Sequence, residues 1–270
     1  MKVYLSRPDI CEKDIQAVVQ VLKTPNLALG PKIPEFEKKI ADYVGTKYAI
    51  SVNSGTSALF LCVKALNIGK DDEVITTPFT FIASTNCILM VDAKPVFVDI
   101  DPDNLNIDPK KIEAKITKKT KAILPVAVFG NPAGMDEVVK IAKKHNLPVI
   151  EDSCEALGSE LNGKKAGSFG IVGTFAFYPN KQMTTGEGGM IVTDNKEIAD
   201  RCVSLRNQGR GQGGGWLAHE RMGYNFRLSD INAALGITQL ERIEEFIQKR
   251  QRVAQWYQEI LVDDNRIIVP

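Results

Sequence analysis

An α/β fold, a mainly parallel sheet covered by helices on both faces, is predicted for this chain by two observations. Short apolar runs with strand character alternate with longer amphipathic runs, and strands joined through helices return to the same edge of a sheet and lie parallel. The second observation is size: 270 residues with 44% apolar content can bury one large core, or one large domain and the start of another.

Residues 12–22 and 35–44 are amphipathic and open the chain as helices. The run 48–52 is the first strand, and 57–66 follows as a helix. Strand 74–76, helix 83–91 and strand 95–98 repeat the alternation. A helical stretch at 109–116, strand 122–126, helix 135–144 and strand 149–151 continue it, and another apolar strand runs up to the segment that holds Lys181. Helical character returns at 199–205. From 228 to 262 the sequence reads as one long helix, with Ile231, Leu235, Ile243, Phe246, Ile247, Val253, Trp256 and Ile260 near helical spacing. Ile267-Ile268-Val269 starts a strand with no sequence left to pair with. The expected division is therefore a large domain at 1–240, then 241–270 as a connecting helix and the beginning of a small C-terminal domain that is largely missing.

Composition excludes several classes. A net charge of +1 gives no global attraction to nucleic acid or an anionic membrane, and basic clusters such as Lys143-Lys144 read as solvated helix ends. No apolar stretch has transmembrane length and no leader pattern opens the chain, so the expected location is cytoplasmic. Five scattered cysteines without a CxxC pair fit free thiols, and Cys154 reads as a packing residue. Two histidines are too few for a histidine-based metal site, and no metal is expected.

Four segments carry chemistry. Ser54-Gly55-Thr56-Ser57-Ala58-Leu59 joins a strand to a helix start, where unpaired N–H groups, the helix dipole and two hydroxyls suit a phosphate; an ordinary N-cap is the alternative. Phe81, in Thr77-Pro78-Phe79-Thr80-Phe81, follows the next strand and can lie flat on a planar ring, or be core. Asp152 stands at the carboxyl end of a strand, where ligands of α/β sheets gather; it can hold a protonated ring nitrogen or cap a helix. Lys181 precedes Thr184-Thr185-Gly186-Glu187-Gly188-Gly189, in which glycines admit a bound group closely, so it is a candidate Schiff-base lysine. By contrast, Gly209-x-Gly211-x-x-Gly214 copies a dinucleotide fingerprint by letter but follows a helical stretch, and reads as a loop over the site mouth with Gly213-Gly214-Gly215 for mobility and Trp216 toward the sugar.

Taken in order, these residues resemble the DegT/DnrJ/EryC1/StrS family of pyridoxal-phosphate-dependent sugar aminotransferases. The likeness also includes Leu5-Ser6-Arg7-Pro8, Gly30-Pro31 before Glu35-Phe36-Glu37, Pro78-Phe79-Thr80-Phe81, Glu151-Asp152 and Gly223-Tyr224-Asn225-Phe226-Arg227, and so runs from end to end. It implies a fold-type-I aminotransferase large domain, pyridoxal 5'-phosphate as cofactor, and a nucleotide-linked keto-sugar and an amino acid, glutamate, as substrates. Lys181 would bind the cofactor covalently and then shuttle a proton. Asp152 would pair with the pyridine nitrogen, Phe81 would stack on the ring, and Ser54, Gly55, Thr56 and Ser57 would cradle the phosphate. Glu155 corresponds to the position near the ring hydroxyl. Asn225 and Arg227 correspond to residues that reach the cofactor of a neighbouring subunit, which implies a homodimer with shared active sites.

The chain departs from the family pattern at three points. Many relatives carry Ser where this chain has Ala176, so one phosphate hydrogen bond is absent or otherwise supplied. Many have Gln or His at Glu155, and a carboxylate beside a phenolate-like oxygen is repulsive unless one is protonated. Relatives also continue into a small C-terminal domain. The rival readings are a sugar dehydratase, against which Lys181 argues because that branch carries histidine, and a catalytically silent or regulatory cofactor-binding relative.

Overall fold

The structure, a computed structural model, describes residues 4, 6–211, 215 and 217–267. Its helices are α1 (Glu12–Leu22), α2 (Lys32–Val44), α3 (Gly55–Ala65), α4 (Ala83–Leu89), α5 (Pro109–Ile112), α6 (Met135–Lys144), α7 (Lys196–Arg206), α8 (Asp230–Leu240) and α9 (Ile243–Leu261). The strands are β1 (Tyr48–Val52), β2 (Glu73–Thr76), β3 (Lys94–Phe97), β4 (Thr120–Ile123), β5 (Ile150–Asp152), β6 (Glu160–Leu161), β7 (Lys164–Lys165), β8 (Val172–Ala176) and β9 (Gly189–Thr193).

Strands β3, β2 and β4 form a parallel group, and β1, β9, β8 and β5 a mixed one. Parallel bridges Ile123–Val149 and Val126–Asp152 join β4 to β5, so the layer runs β3-β2-β4-β5-β8-β9-β1. Only β9 runs against its neighbours β8 and β1. Because β1 and β8 are both antiparallel to β9, they are parallel to each other, and the carboxyl ends of β1, β2, β4, β5 and β8 share one edge. The expected α/β layer, mainly parallel and mixed, is the one observed.

Strand periodicity distributes the core to two faces. On β1 and β9, Ile50, Val52 and Ile191 pack with Leu59, Val63, Ala199 and Cys202 of α3 and α7. Their alternates Ala49, Met190 and Val192 pack with Phe36, Ile40, Ala233 and Ile237 of α2 and α8. A third cluster joins Ile75 and Ile123 to Ile112 and Val138 of α5 and α6.

Several sequence readings need correction. The single helix at 228–262 is two, α8 and α9, divided at Glu241 and Arg242. Arg242 binds Asp9 at 2.9 Å and Asp14 at 3.4 Å, so a tertiary contact sets the break that apolar spacing does not reveal. Helix α2 begins at Lys32, earlier than 35, because the carboxylate of Asp230 accepts the N–H groups of Gly30 and Lys32 at 2.7 and 2.8 Å. The stretch 109–116 is a short α-helix followed by a 3-10 turn at Glu113–Lys115. Ladder pairing of the fourth strand ends at Ile123, with Val126 making a lone bridge. Of the strand expected from Ile267, that residue lies in a turn whose N–H donates to Asp264, and Ile268 and Val269 lie outside the described residues.

The N-terminal helix is fixed through one buried carboxylate. Asp14, fully buried, accepts from Thr238 Oγ1 at 2.6 Å, Gln239 Nε2 at 2.9 Å and the Cys11 N–H at 3.0 Å. Burial pushes its pKa up, but these donors outweigh burial and hold it below the ordinary value. Replacing Asp14 by Ala removes the buried acceptor shared by Thr238, Gln239 and the Cys11 N–H, and its contact with Arg242, and should cost about 3 kcal/mol in urea unfolding. As the folded pKa is depressed, this contribution is present above the unfolded pKa near 3.8 and is lost as pH falls through the lower folded value. A variant within about 0.5 kcal/mol of the parent would contradict this role.

Candidate active site

The chemistry-bearing residues meet because they follow strands that end at one edge. Ser54 follows β1, Phe81 follows β2, Asp152 closes β5 with Glu155 just beyond, and Lys181 follows β8.

Ser54 is the N-cap of α3, its Oγ accepting the Ser57 N–H at 3.1 Å and donating to Ser57 Oγ at 3.0 Å. The capping alternative is therefore real, and it is compatible with an anion site, since a cap satisfies only some of the first-turn donors. The start of α3 is seated by close packing. A Cβ on Gly55 would lie 2.7 Å from Ala176 Cβ and 3.1 Å from Cys154 Sγ, and one on Gly189 would lie 2.4 Å from the Ser54 carbonyl oxygen. Only glycine at both positions lets the helix start touch the ends of β5, β8 and β9.

Asp152 is 5% exposed. Its Oδ2 accepts from Ser84 Oγ at 2.6 Å, which is itself 2.7 Å from Thr80 Oγ1, and its Oδ1 accepts the Cys154 N–H at 3.2 Å. No helix starts here, so the capping alternative does not apply. Burial followed by the Asp152 charge raises the pKa of the Cys154 thiol well above its ordinary value, which leaves it a poor nucleophile.

Lys181 lies in the turn 177–188 that connects β8 to β9. The turn is built by Thr184 Oγ1 and the Thr185 N–H, both donating to the Phe177 carbonyl at 2.9 and 3.0 Å, with Gly186 at φ 82°. Lys181 Nζ, on a side chain 17% exposed, reaches Glu155 Oε1 at 3.0 Å. Glu155 Oε2 accepts the Phe129 N–H, also at 3.0 Å, from a left-handed residue at φ 53°. The Glu155 carboxylate thus faces the Lys181 amine on one oxygen and a backbone N–H donor on the other.

Phe81 is 76% exposed beside this edge, an open ring rather than a core residue. Asn225 and Arg227 belong to a segment paired with the end of α7: Asn225 bridges Asn207, Arg227 Nη1 donates to Asn207 Oδ1 at 3.0 Å, and the Phe226 carbonyl accepts from Asn53 N–H. Among the described residues, no hydrogen bond links either side chain to Lys181, Asp152 or Glu155. Residue-by-residue reading missed Ser84, Phe129 and Gln182, whose Nε2 donates to the Glu155 carbonyl. In the glycine-rich decoy, Gly209 and Gly211 do follow a helix, α7, and Gly213, Gly214 and Trp216 lie outside the described residues.

A buried phosphate-ready helix start, a buried carboxylate and a half-enclosed amine on one edge fit a phosphorylated pyridine aldehyde. No described helix is long and apolar enough to cross a membrane, and no described group of His, Cys, Asp or Glu could hold a metal.

Glu151, adjacent to Asp152 and on the opposite face of β5, is fully buried and accepts the N–H groups of Gly167, at 2.8 Å, and Gly170. Burial raises its pKa to about 7 against those donors. An acid whose folded pKa exceeds its unfolded value binds extra protons when folded, so stability should fall as pH rises toward and through about 7. Urea unfolding at about pH 5.5 and about pH 8 should show this loss, at most about 3 kcal/mol, and Glu151→Gln should flatten it. Equal slopes in parent and variant would refute the assignment.

The sequence matches the DegT/DnrJ/EryC1/StrS aminotransferase family over residues 8–269. A GDP-perosamine synthase of Caulobacter vibrioides is 42% identical over 271 residues, covering 100% of this chain and 73% of that protein. Among solved structures, Helicobacter pylori PseC, an aminotransferase involved in the biosynthesis of pseudoaminic acid, superposes with a TM-score of 0.93 at 35% identity, covering 98% of this chain and 72% of that one. NtdA from Bacillus subtilis with bound cofactor PMP gives 0.87 at 31% identity, covering 97% and 62%. The chain belongs to the DegT/DnrJ/EryC1/StrS family of pyridoxal-phosphate-dependent aminotransferases, with a fold-type-I architecture.

Proposed function

We propose that this chain transfers an amino group from an amino acid, glutamate, to a keto-sugar carried on a nucleotide, in deoxyamino-sugar or polysaccharide biosynthesis. The observation that carries the reading is the convergence of Lys181, Glu155 and buried Asp152 on the sheet edge that also presents the α3 N-terminus. The likeness to GDP-perosamine synthase and PseC supports the sugar substrate.

Bound pyridoxal phosphate supplies an electron sink that makes a carbon-bound proton removable. The chain's own residues do the rest. Ser54, Gly55, Thr56 and Ser57 hold the phosphate with N–H and hydroxyl donors at the positive end of α3. Asp152, oriented by Ser84 and the Cys154 N–H, accepts from the protonated ring nitrogen and keeps it cationic. Phe81 covers one ring face. Glu155, 3.0 Å from Lys181 Nζ and anchored by the Phe129 N–H, positions that amine, which once deprotonated would act as the nucleophile and then as the base at the substrate carbon.

Asn225 and Arg227 serve the cofactor of a second copy in a homodimer, a reading supported by family likeness and by their position outside the Lys181 cluster. Exposed Phe79, Ile82 and Phe129 supply apolar surface for such a contact. The cytoplasm is the proposed location. Residues 241–270 are proposed as the connection toward a second domain, supported by exposed Trp256, Tyr257 and Ile260 on α9.

Steady-state kinetics with glutamate and a nucleotide-linked keto-sugar should be ping-pong. Lys181→Ala should lower turnover by on the order of 10³-fold or more, and Asp152→Asn by on the order of 10². Full turnover by Lys181→Ala would end the proposal.

A further inference from the structure

A cavity of about 250 Å³ adjoins Lys181 on the side formed by the N-terminal segment, residues 179–184 and the α8–α9 region. Sites that enclose drug-sized molecules run from roughly 300 to 1,000 Å³, so this one admits a head group and not an entire nucleotide-linked sugar. Its charged lining is Arg7, Asp9, Lys181, Lys249 and Arg250.

Most of these charges are already matched. Asp9 pairs with Arg242 at 2.9 Å and Lys249 at 3.0 Å, Lys249 also pairs with Glu245 at 2.6 Å, and Lys181 pairs with Glu155. Two guanidinium groups remain. Among the described residues the Arg7 side chain has no hydrogen-bond or ion-pair partner, and Arg250 makes no ion pair, its Nη2 donating to the Lys181 carbonyl at 2.8 Å. Two unmatched arginines on one small cavity leave a local positive surplus, and their planar donor forks fit carboxylate or phosphate oxygens. Ser6, Gln182 and Thr184 add polar lining.

We propose that this cavity is an anion subsite in which Arg7 and Arg250 bind a diphosphate or carboxylate group of the reactants. The ligand sources rest on the aminotransferase reading: the diphosphate of the nucleotide-linked sugar, or the carboxylates of the amino donor. Arg250 grips the Lys181 carbonyl as well, so an anion held there lies against the turn that carries the reactive amine.

Calorimetric titration of the full chain with inorganic diphosphate and, separately, with glutarate tests this without turnover. At least one anion should bind, and Arg7→Gln and Arg250→Gln should each weaken it by about tenfold or more. Lys38→Gln, on the exposed face of α2, should change it by no more than about twofold. Loss for diphosphate alone assigns the subsite to the nucleotide-linked sugar, loss for glutarate alone assigns it to the donor, and loss for both assigns it to both. No binding of either anion, or binding unchanged by Arg7→Gln, overturns the proposal. Because Arg7 has no side-chain partner to lose among the described residues, its variant keeps the test decisive should Arg250→Gln disturb the turn. A chain without a visible cofactor band would defeat the proposed function while leaving this binding result readable.

Discussion

The site depends on the common direction of five strands. With β1, β2, β4, β5 and β8 parallel, every segment that leaves a carboxyl end emerges on one edge, and residues from 54 to 181 become neighbours. Strand β9 makes this possible for Lys181: running back between β8 and β1, it turns the lysine segment over the edge and presses Gly189 against the start of α3. A side chain at 189 would push the helix start away from the site, so backbone contact couples the phosphate cradle to the lysine turn.

Charge is arranged within that frame by short polar chains rather than by isolated groups. Thr80, Ser84 and Asp152 form one chain, and Phe129, Glu155 and Lys181 form another. The first fixes a buried carboxylate toward a cation. The second holds an amine against a carboxylate anchored by a backbone N–H.

Much of this was legible in the sequence for physical reasons. Alternation and apolar spacing show α1, β1, α6 and most of the parallel layer, because half-buried strands and amphipathic helices carry those periods. Ser54–Ser57, Asp152 and Lys181 were legible because strand-to-loop junctions put chemistry at a sheet edge. Strand β9 escaped, since Gly189–Thr193 continues the glycine-rich lysine motif with a uniformly buried run and no helix before it. The break before α9 is set by ion pairs to Asp9 and Asp14, more than two hundred residues away in sequence, for which local spacing holds no signal. Ser84 and Phe129 are found only by distance, because a lone serine and a lone backbone N–H carry no pattern.

Visible absorbance of the purified chain with pyridoxal phosphate, recorded before and after glutamate, tests the central claim most directly. The arrangement of Lys181, Asp152 and Glu155 predicts a protein-bound cofactor band that shifts to the amine form of the cofactor when glutamate is added. A bound band that glutamate leaves unchanged would contradict transamination, and no bound band would contradict the cofactor site itself.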